Sequence, residues 1–124
     1  MKKNLIVLSV LFGVASLPHF LSPESYLPVM PPFLPFPMFW VVITGVFELA
    51  FAVGIWFNRL RAVAGWCMVA LLASFLVLHG HHVWVVSQGG TVEGLDFLPT
   101  WAFWARIALQ FPLMYWVYRV TVRG

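Results

Sequence analysis

The chain has 124 residues, of which 62% are hydrophobic and only 9% charged, with a formal net charge of +3 and a mean hydropathy of +0.93. Soluble domains carry about a quarter charged residues, so this composition excludes an ordinary soluble enzyme and indicates a polytopic membrane protein with one domain over residues 1–124. The basic residues flank apolar runs and form no patch, which excludes a nucleic-acid partner. A single cysteine, Cys67, excludes an intrachain disulfide and a Cys-x-x-Cys redox pair.

Lys2 and Lys3 precede an apolar run from Leu5 to Leu17. A basic start, a short apolar core and Val14-Ala15-Ser16 also fit a secretory signal peptide. The apolar character continues through His19-Phe20-Leu21, enough for a crossing, and Pro18 is expected to kink or stop the outer end of this first helix. Ser22 to Pro37 holds six of the nine prolines, a spacing that forbids a helix interior. Its Tyr26, Leu27, Phe33, Leu34 and Phe36 predict a stiff apolar loop that caps the helix ends or lies on the membrane surface.

The second helix, Phe39 to Phe57, spans roughly 28 Å at about 1.5 Å per residue, close to the hydrocarbon thickness. Glu48 falls near its middle, where a charge costs several kcal/mol unless neutralised or paired. Asn58-Arg59-Leu60-Arg61 reads as a tight basic turn, 62–86 as a third helix, and 87–94 as a polar, glycine-rich loop. A fourth helix is expected from Pro99 or Trp101 to Arg119, with Pro112 inside it. Lys2, Lys3, Arg59, Arg61, Arg119 and Arg123 share one end of such a chain, while Glu24, Glu93 and Asp96 share the other. The positive-inside rule then puts both termini in the cytoplasm, and Trp and Tyr mark both interfaces.

Two charges fall within the crossings, Glu48 and Arg106. Thr44, Gly45 and Ala52 share a face with Glu48, so that face packs on another helix. Arg106 and Gln110 are four apart on one face of the fourth helix. Counted from the outer ends, Arg106 lies roughly 8 Å deep, Gln110 about 13 Å and Glu48 about 14 Å. The expectation is a Glu48–Arg106 ion pair, or a polar pocket of Glu48, Arg106, Gln110 and His19 that binds a ligand or moves a proton. His79 and His82 are three apart on one helix face and are candidate copper or zinc ligands, although no further ligand is evident. His19 and His79 stand at similar depth and are candidate haem ligands. There is no Walker loop, dinucleotide glycine pattern or Ser-His-Asp set.

His19-Phe20, the loop Pro31-Pro32-Phe33-Leu34-Pro35-Phe36-Pro37, the stretch Thr44-Gly45-Val46-Phe47-Glu48-Leu49-Ala50, the turn Arg59 to Trp66 and the stretch Ala105 to Gln110 occur in the order and spacing of a known family. Over nearly its whole length the chain resembles the DoxX-like family of small four-helix bacterial membrane proteins. Ala108 stands where that family usually has proline, and His79-Gly80-His81-His82 where it has a Pro-Ala-Asn-type stretch. The resemblance implies respiratory or oxidative-stress redox chemistry, since DoxD and DoxA are subunits of a thiosulfate:quinone oxidoreductase.

The combined expectation is an all-α, four-helix transmembrane bundle with a proline-rich outer loop, in a bacterial inner membrane. Its expected role is membrane subunit of a quinone-linked redox or oxidative-stress system. Quinone stands first among ligands, with copper, zinc and haem behind it. The alternatives are an accessory subunit of a larger membrane complex, or a small transporter or proton relay through Glu48. The expected partners are the lipid bilayer and a redox protein or membrane complex, with a homo-oligomer also open.

Overall fold

The computed structural model describes residues 1–124 as an all-α, strand-free fold. Its four α-helices are α1 (Lys2–Leu21), α2 (Pro37–Gly54), α3 (Asn58–Ser87) and α4 (Thr100–Tyr118). A 3₁₀ segment, Pro23–Val29, follows α1, and a π-helical turn, Arg119–Arg123, follows α4. Three of the helices, α1, α2 and α3, are long and apolar enough to cross a membrane. α4 carries Arg106, Gln110 and Pro112 in the same length, which lowers its apolar character.

Local sequence accounts for the boundaries. Pro18 does not end α1, which runs three residues further, and the Ser22 N–H still bonds the Pro18 carbonyl at 2.9 Å. The proline spacing after Ser22 admits only short 3₁₀ turns and extended backbone. Pro37 opens α2, where its missing N–H costs nothing. Just before it Phe36 has φ +54°, the one non-glycine residue in the left-handed region. α2 ends at Gly54, short of the expected Phe57, and the Nε–H of Arg61 bonds the Ile55 carbonyl at 2.7 Å. That basic side chain thereby satisfies a carbonyl just past the helix end.

The helices pair as antiparallel hairpins. α1 runs against α2, with the Ser9 hydroxyl bonded to the Ala52 carbonyl at 2.8 Å and His19 beside Gly45. α3 runs against α4, with Gln110 bonded to Leu72 and Gly65 pressed on Thr121. The two hairpins meet chiefly where α2 adjoins α3, and Trp116 reaches Asn4 of α1 at 3.4 Å.

The apolar core fills one end. Leu5, Leu8 and Phe12 of α1 meet Phe51, Ala52 and Ile55 on α2, Met68 and Leu72 on α3, and Val117 and Val120 at the close of the chain. Only 23 of 124 residues are buried, and 33 large apolar side chains are exposed. A soluble protein would not leave so much apolar surface in water, whereas a helical membrane protein presents it to lipid.

Candidate functional site

The other end of the hairpins does not close. Between α1, α2, α3 and the proline-rich segment lies a cavity of about 570 Å³, mostly apolar in lining. Its polar wall groups include His19 of α1, Thr44 and Glu48 of α2, and His79 of α3. Tyr26, Met30 and Phe33 of the proline-rich segment form a further wall.

Glu48 and His19 face each other across the α1–α2 seam. Glu48 is 5% exposed and His19 8%, and His19 Nε2 lies 3.6 Å from Glu48 Oε2. The protonation pattern follows from the neighbours. His19 Nδ1 is 2.7 Å from the Val41 carbonyl, which only accepts, so Nδ1 carries a proton. The same N–H has a longer contact, 3.3 Å, with Thr44 Oγ1, whose own hydroxyl bonds back to the Trp40 carbonyl at 2.8 Å. Nε2 is then a lone pair when the ring is neutral. Nε2 is thus the ring nitrogen turned towards the Glu48 carboxyl. A carboxyl side chain in an apolar interior needs such a polar neighbour. The contact is too long for a direct hydrogen bond, and Glu48 Oε2 has no other protein partner.

Gly45 makes this arrangement sterically possible. A Cβ there would stand 2.5 Å from His19 Cβ, so only glycine admits the ring at this depth. From the outer side Tyr26 stacks on His19 with ring centroids 4.3 Å apart. Burial, and then the nearby Glu48 carboxylate, hold the Tyr26 phenol above its ordinary range.

Arg106 is not the partner of Glu48. Its Nη1 donates to His82 Nδ1 at 3.1 Å, and His82 Nε2–H donates to the Val29 carbonyl at 2.7 Å. The expected Glu48–Arg106 ion pair is therefore replaced by two separate contacts, each using a histidine. The physical reason is helix adjacency: α2 packs on α1, and α4 on α3. Gln110 also turns to α3, donating to the Leu72 carbonyl at 3.0 Å. Of the four expected pocket residues, Glu48 and His19 line the cavity; Arg106 and Gln110 do not.

The histidine cluster divides in the same way. His82 is 1% exposed and uses both ring nitrogens to tie α4 to the proline-rich segment. It has no lone pair left for a metal, and no three His, Cys, Asp or Glu side chains converge. Of the two histidines expected as copper or zinc ligands, His82 is bonded at both ring nitrogens and His79 lines the cavity. His19 Nε2 is directed at Glu48, so the expected His19–His79 haem ligation would first have to break that pair. His81 packs against Phe33, centroids 5.6 Å apart, and Trp84.

Sequence reasoning missed Tyr26 and His79 as cavity residues. An aromatic in a proline-stiffened segment beside His19 was the available signal for Tyr26; none distinguished His79 from His82.

No curated protein and no solved structure matches this chain. Residues 8–121 match a domain of unknown function, DUF8561, a span that takes in most of α1, all of α2, α3 and α4, and every residue lining the cavity. On that match the chain belongs to the DUF8561 family.

Proposed function

We propose that this protein crosses a bacterial inner membrane four times, with both termini in the cytoplasm, and binds a quinone headgroup in the cavity beside Glu48. It would act as the membrane subunit of a quinone-linked redox system. The observation that carries this reading is the buried His19–Glu48 pair, 3.6 Å apart, at the wall of a largely apolar cavity of about 570 Å³. Quinone sites need an apolar slot with a few convergent polar groups, and reduction of the ring requires protons at its oxygens. Glu48 or His19 would exchange one proton of the quinone/quinol couple, the second passing to or from solvent, while a partner redox protein would exchange the two electrons. The resemblance to DoxX-like proteins points the same way.

The fourth crossing is supported by where the polar groups of α4 go. Gln110 is 7% exposed and bonded to α3, and Arg106 is bonded to His82, so neither is left to lipid. The six terminal and turn Lys and Arg residues support cytoplasmic termini.

The test is purification of the full chain in detergent, mass spectrometry of extracted quinones, and titration with ubiquinone-1. Saturable binding that Glu48→Gln weakens by roughly 10-fold, the worth of one good hydrogen bond, is the expected result. No co-purifying quinone and no saturable binding would overturn the reading. The accessory-subunit alternative would then take its place, supported by α3, whose most apolar stretch is only 17% buried and leaves a broad face for a neighbouring helix.

A further inference from the structure

We infer that the cavity takes a membrane-dissolved quinone carrying an apolar chain, and that the chain leaves sideways into the bilayer between α1 and α3, past Ala15, Ser74 and Val77. This rests on the quinone reading above and adds the class of quinone and its route.

The outer end of the cavity is roofed by the proline-rich segment, which contributes Tyr26, Met30 and Leu34 to the lining. The roof is fastened at two places. Trp40 Nε1–H donates to the Pro35 carbonyl at 2.9 Å, and His82 Nε2–H donates to the Val29 carbonyl at 2.7 Å. Proline fixes much of the backbone between these ties, so the segment has little freedom to swing aside. α2 forms the back wall with Val41, Thr44 and Glu48, and it packs on both α1 and α3.

The side opposite α2 has no such closure. α1 and α3 form no seam comparable to those each makes with α2. Their side chains meet in the apolar core, through Leu5, Leu8 and Phe12 of α1 and Met68 and Leu72 of α3. Beyond that core the lining passes to Ala15 on α1 and to Ser74 and Val77 on α3. Ser74 and Val77 are cavity wall and outer surface at once, Val77 being 61% exposed. A residue that is both marks where a cavity meets its surroundings. Phe33 and Trp40 are exposed lining residues as well, but they belong to the fastened roof and its anchor.

The surroundings at this opening are hydrocarbon. Ser74 lies roughly 24 Å from the start of α3 and roughly 20 Å from its end, in the middle of the crossing. Its hydroxyl donates to the Leu71 carbonyl of its own helix at 2.6 Å, which leaves no donor unpaired toward lipid. A cavity tied shut at its outer end and open toward lipid selects an amphiphile that arrives through the bilayer. The ring occupies the cavity, and the chain follows the gap between α1 and α3 back into the lipid.

The experiment uses the full-length protein in lipid nanodiscs, with empty nanodiscs as the blank. A decylubiquinone carrying a photoactivatable diazirine on its chain is illuminated, and the labelled peptides are identified by mass spectrometry. Labels are expected on α1 around Ala15 and on α3 around Ser74 and Val77. Ala15→Trp and Ser74→Trp plug the opening from opposite banks. Each should weaken decylubiquinone roughly 10-fold, because the chain and the indole compete for one space, and leave short-chained ubiquinone-1 within about 3-fold. Retained ubiquinone-1 binding shows that the variants fold.

Labels on the proline-rich segment, or variants that bind decylubiquinone as tightly as wild type, overturn the inference while the quinone reading stands. Should the variants lose both quinones alike, the labels on the wild-type protein decide. If the wild-type protein binds neither quinone, both readings fall together.

Discussion

At the scale of single residues, two charges inside the helices found different partners from the ones expected. Arg106 and Glu48 each bond or pair with a histidine of an adjacent helix. Depth along the helix made them look reachable by each other. Helix adjacency decided otherwise, since a side chain spans one helix seam and not a whole bundle. The consequence is measurable in a double-mutant cycle. Glu48→Gln and His19→Gln should be coupled by about 1–3 kcal/mol in thermal stability, because each change strands the other group. Glu48→Gln and Arg106→Gln should be additive within about 0.5 kcal/mol, as expected for groups that share no partner. Denaturation of the purified single and double variants in one detergent checks both statements, and coupling of Glu48 to Arg106 instead would restore the original pairing.

At the scale of elements, the α1–α2 seam depends on small residues. Gly45→Ala would press a methyl group on His19, and overpacking of this kind costs about 1–3 kcal/mol. It should also shift His19 away from Glu48 and weaken ligand binding. Gly13 supplies the control on the same seam: an added Cβ there would meet Ala52 Cβ at 3.8 Å, ordinary contact. Gly13→Ala should therefore leave stability unchanged or raise it by up to about 1 kcal/mol through helix propensity. Thermal stability of the two variants side by side separates close approach from glycine content. The proline-rich segment belongs to this scale as well. Trp40 Nε1 bonds the Pro35 carbonyl at 2.9 Å and His82 bonds Val29, so the segment is fastened to α2 and α3 and forms a wall of the cavity.

At the scale of the whole molecule, the two ends differ in kind. One is packed with Leu, Ile, Val, Met and Phe, and carries both termini and the turn between α2 and α3. The other holds the cavity and the buried His19 and Glu48. On the proposed topology, with both termini in the cytoplasm, the cavity would lie in the outer half of the bilayer. Site-directed labelling checks the orientation. In a Cys67→Ala background, an impermeant thiol reagent added to intact cells should modify Gln88→Cys and spare Lys3→Cys. The reverse pattern would invert the topology and put the cavity on the cytoplasmic side.

The sequence by itself determined the class of molecule, the four helical stretches and the contrast between the two ends. These follow from local, additive quantities: apolar run length, the places where prolines interrupt backbone hydrogen bonding, and the positions of Lys and Arg along the chain. It also marked Glu48 and His19 as important, because a carboxylate in an apolar run must be neutralised by something. Tertiary structure alone decided who neutralises it. Pairing within the bundle depends on which helices are neighbours and how each is rotated, and Gly45 brings α1 close enough for His19 to be that neighbour. The same rotation of α3 separated two histidines that looked equivalent at three-residue spacing, sending His82 to Arg106 and the proline-rich segment and leaving His79 on the cavity.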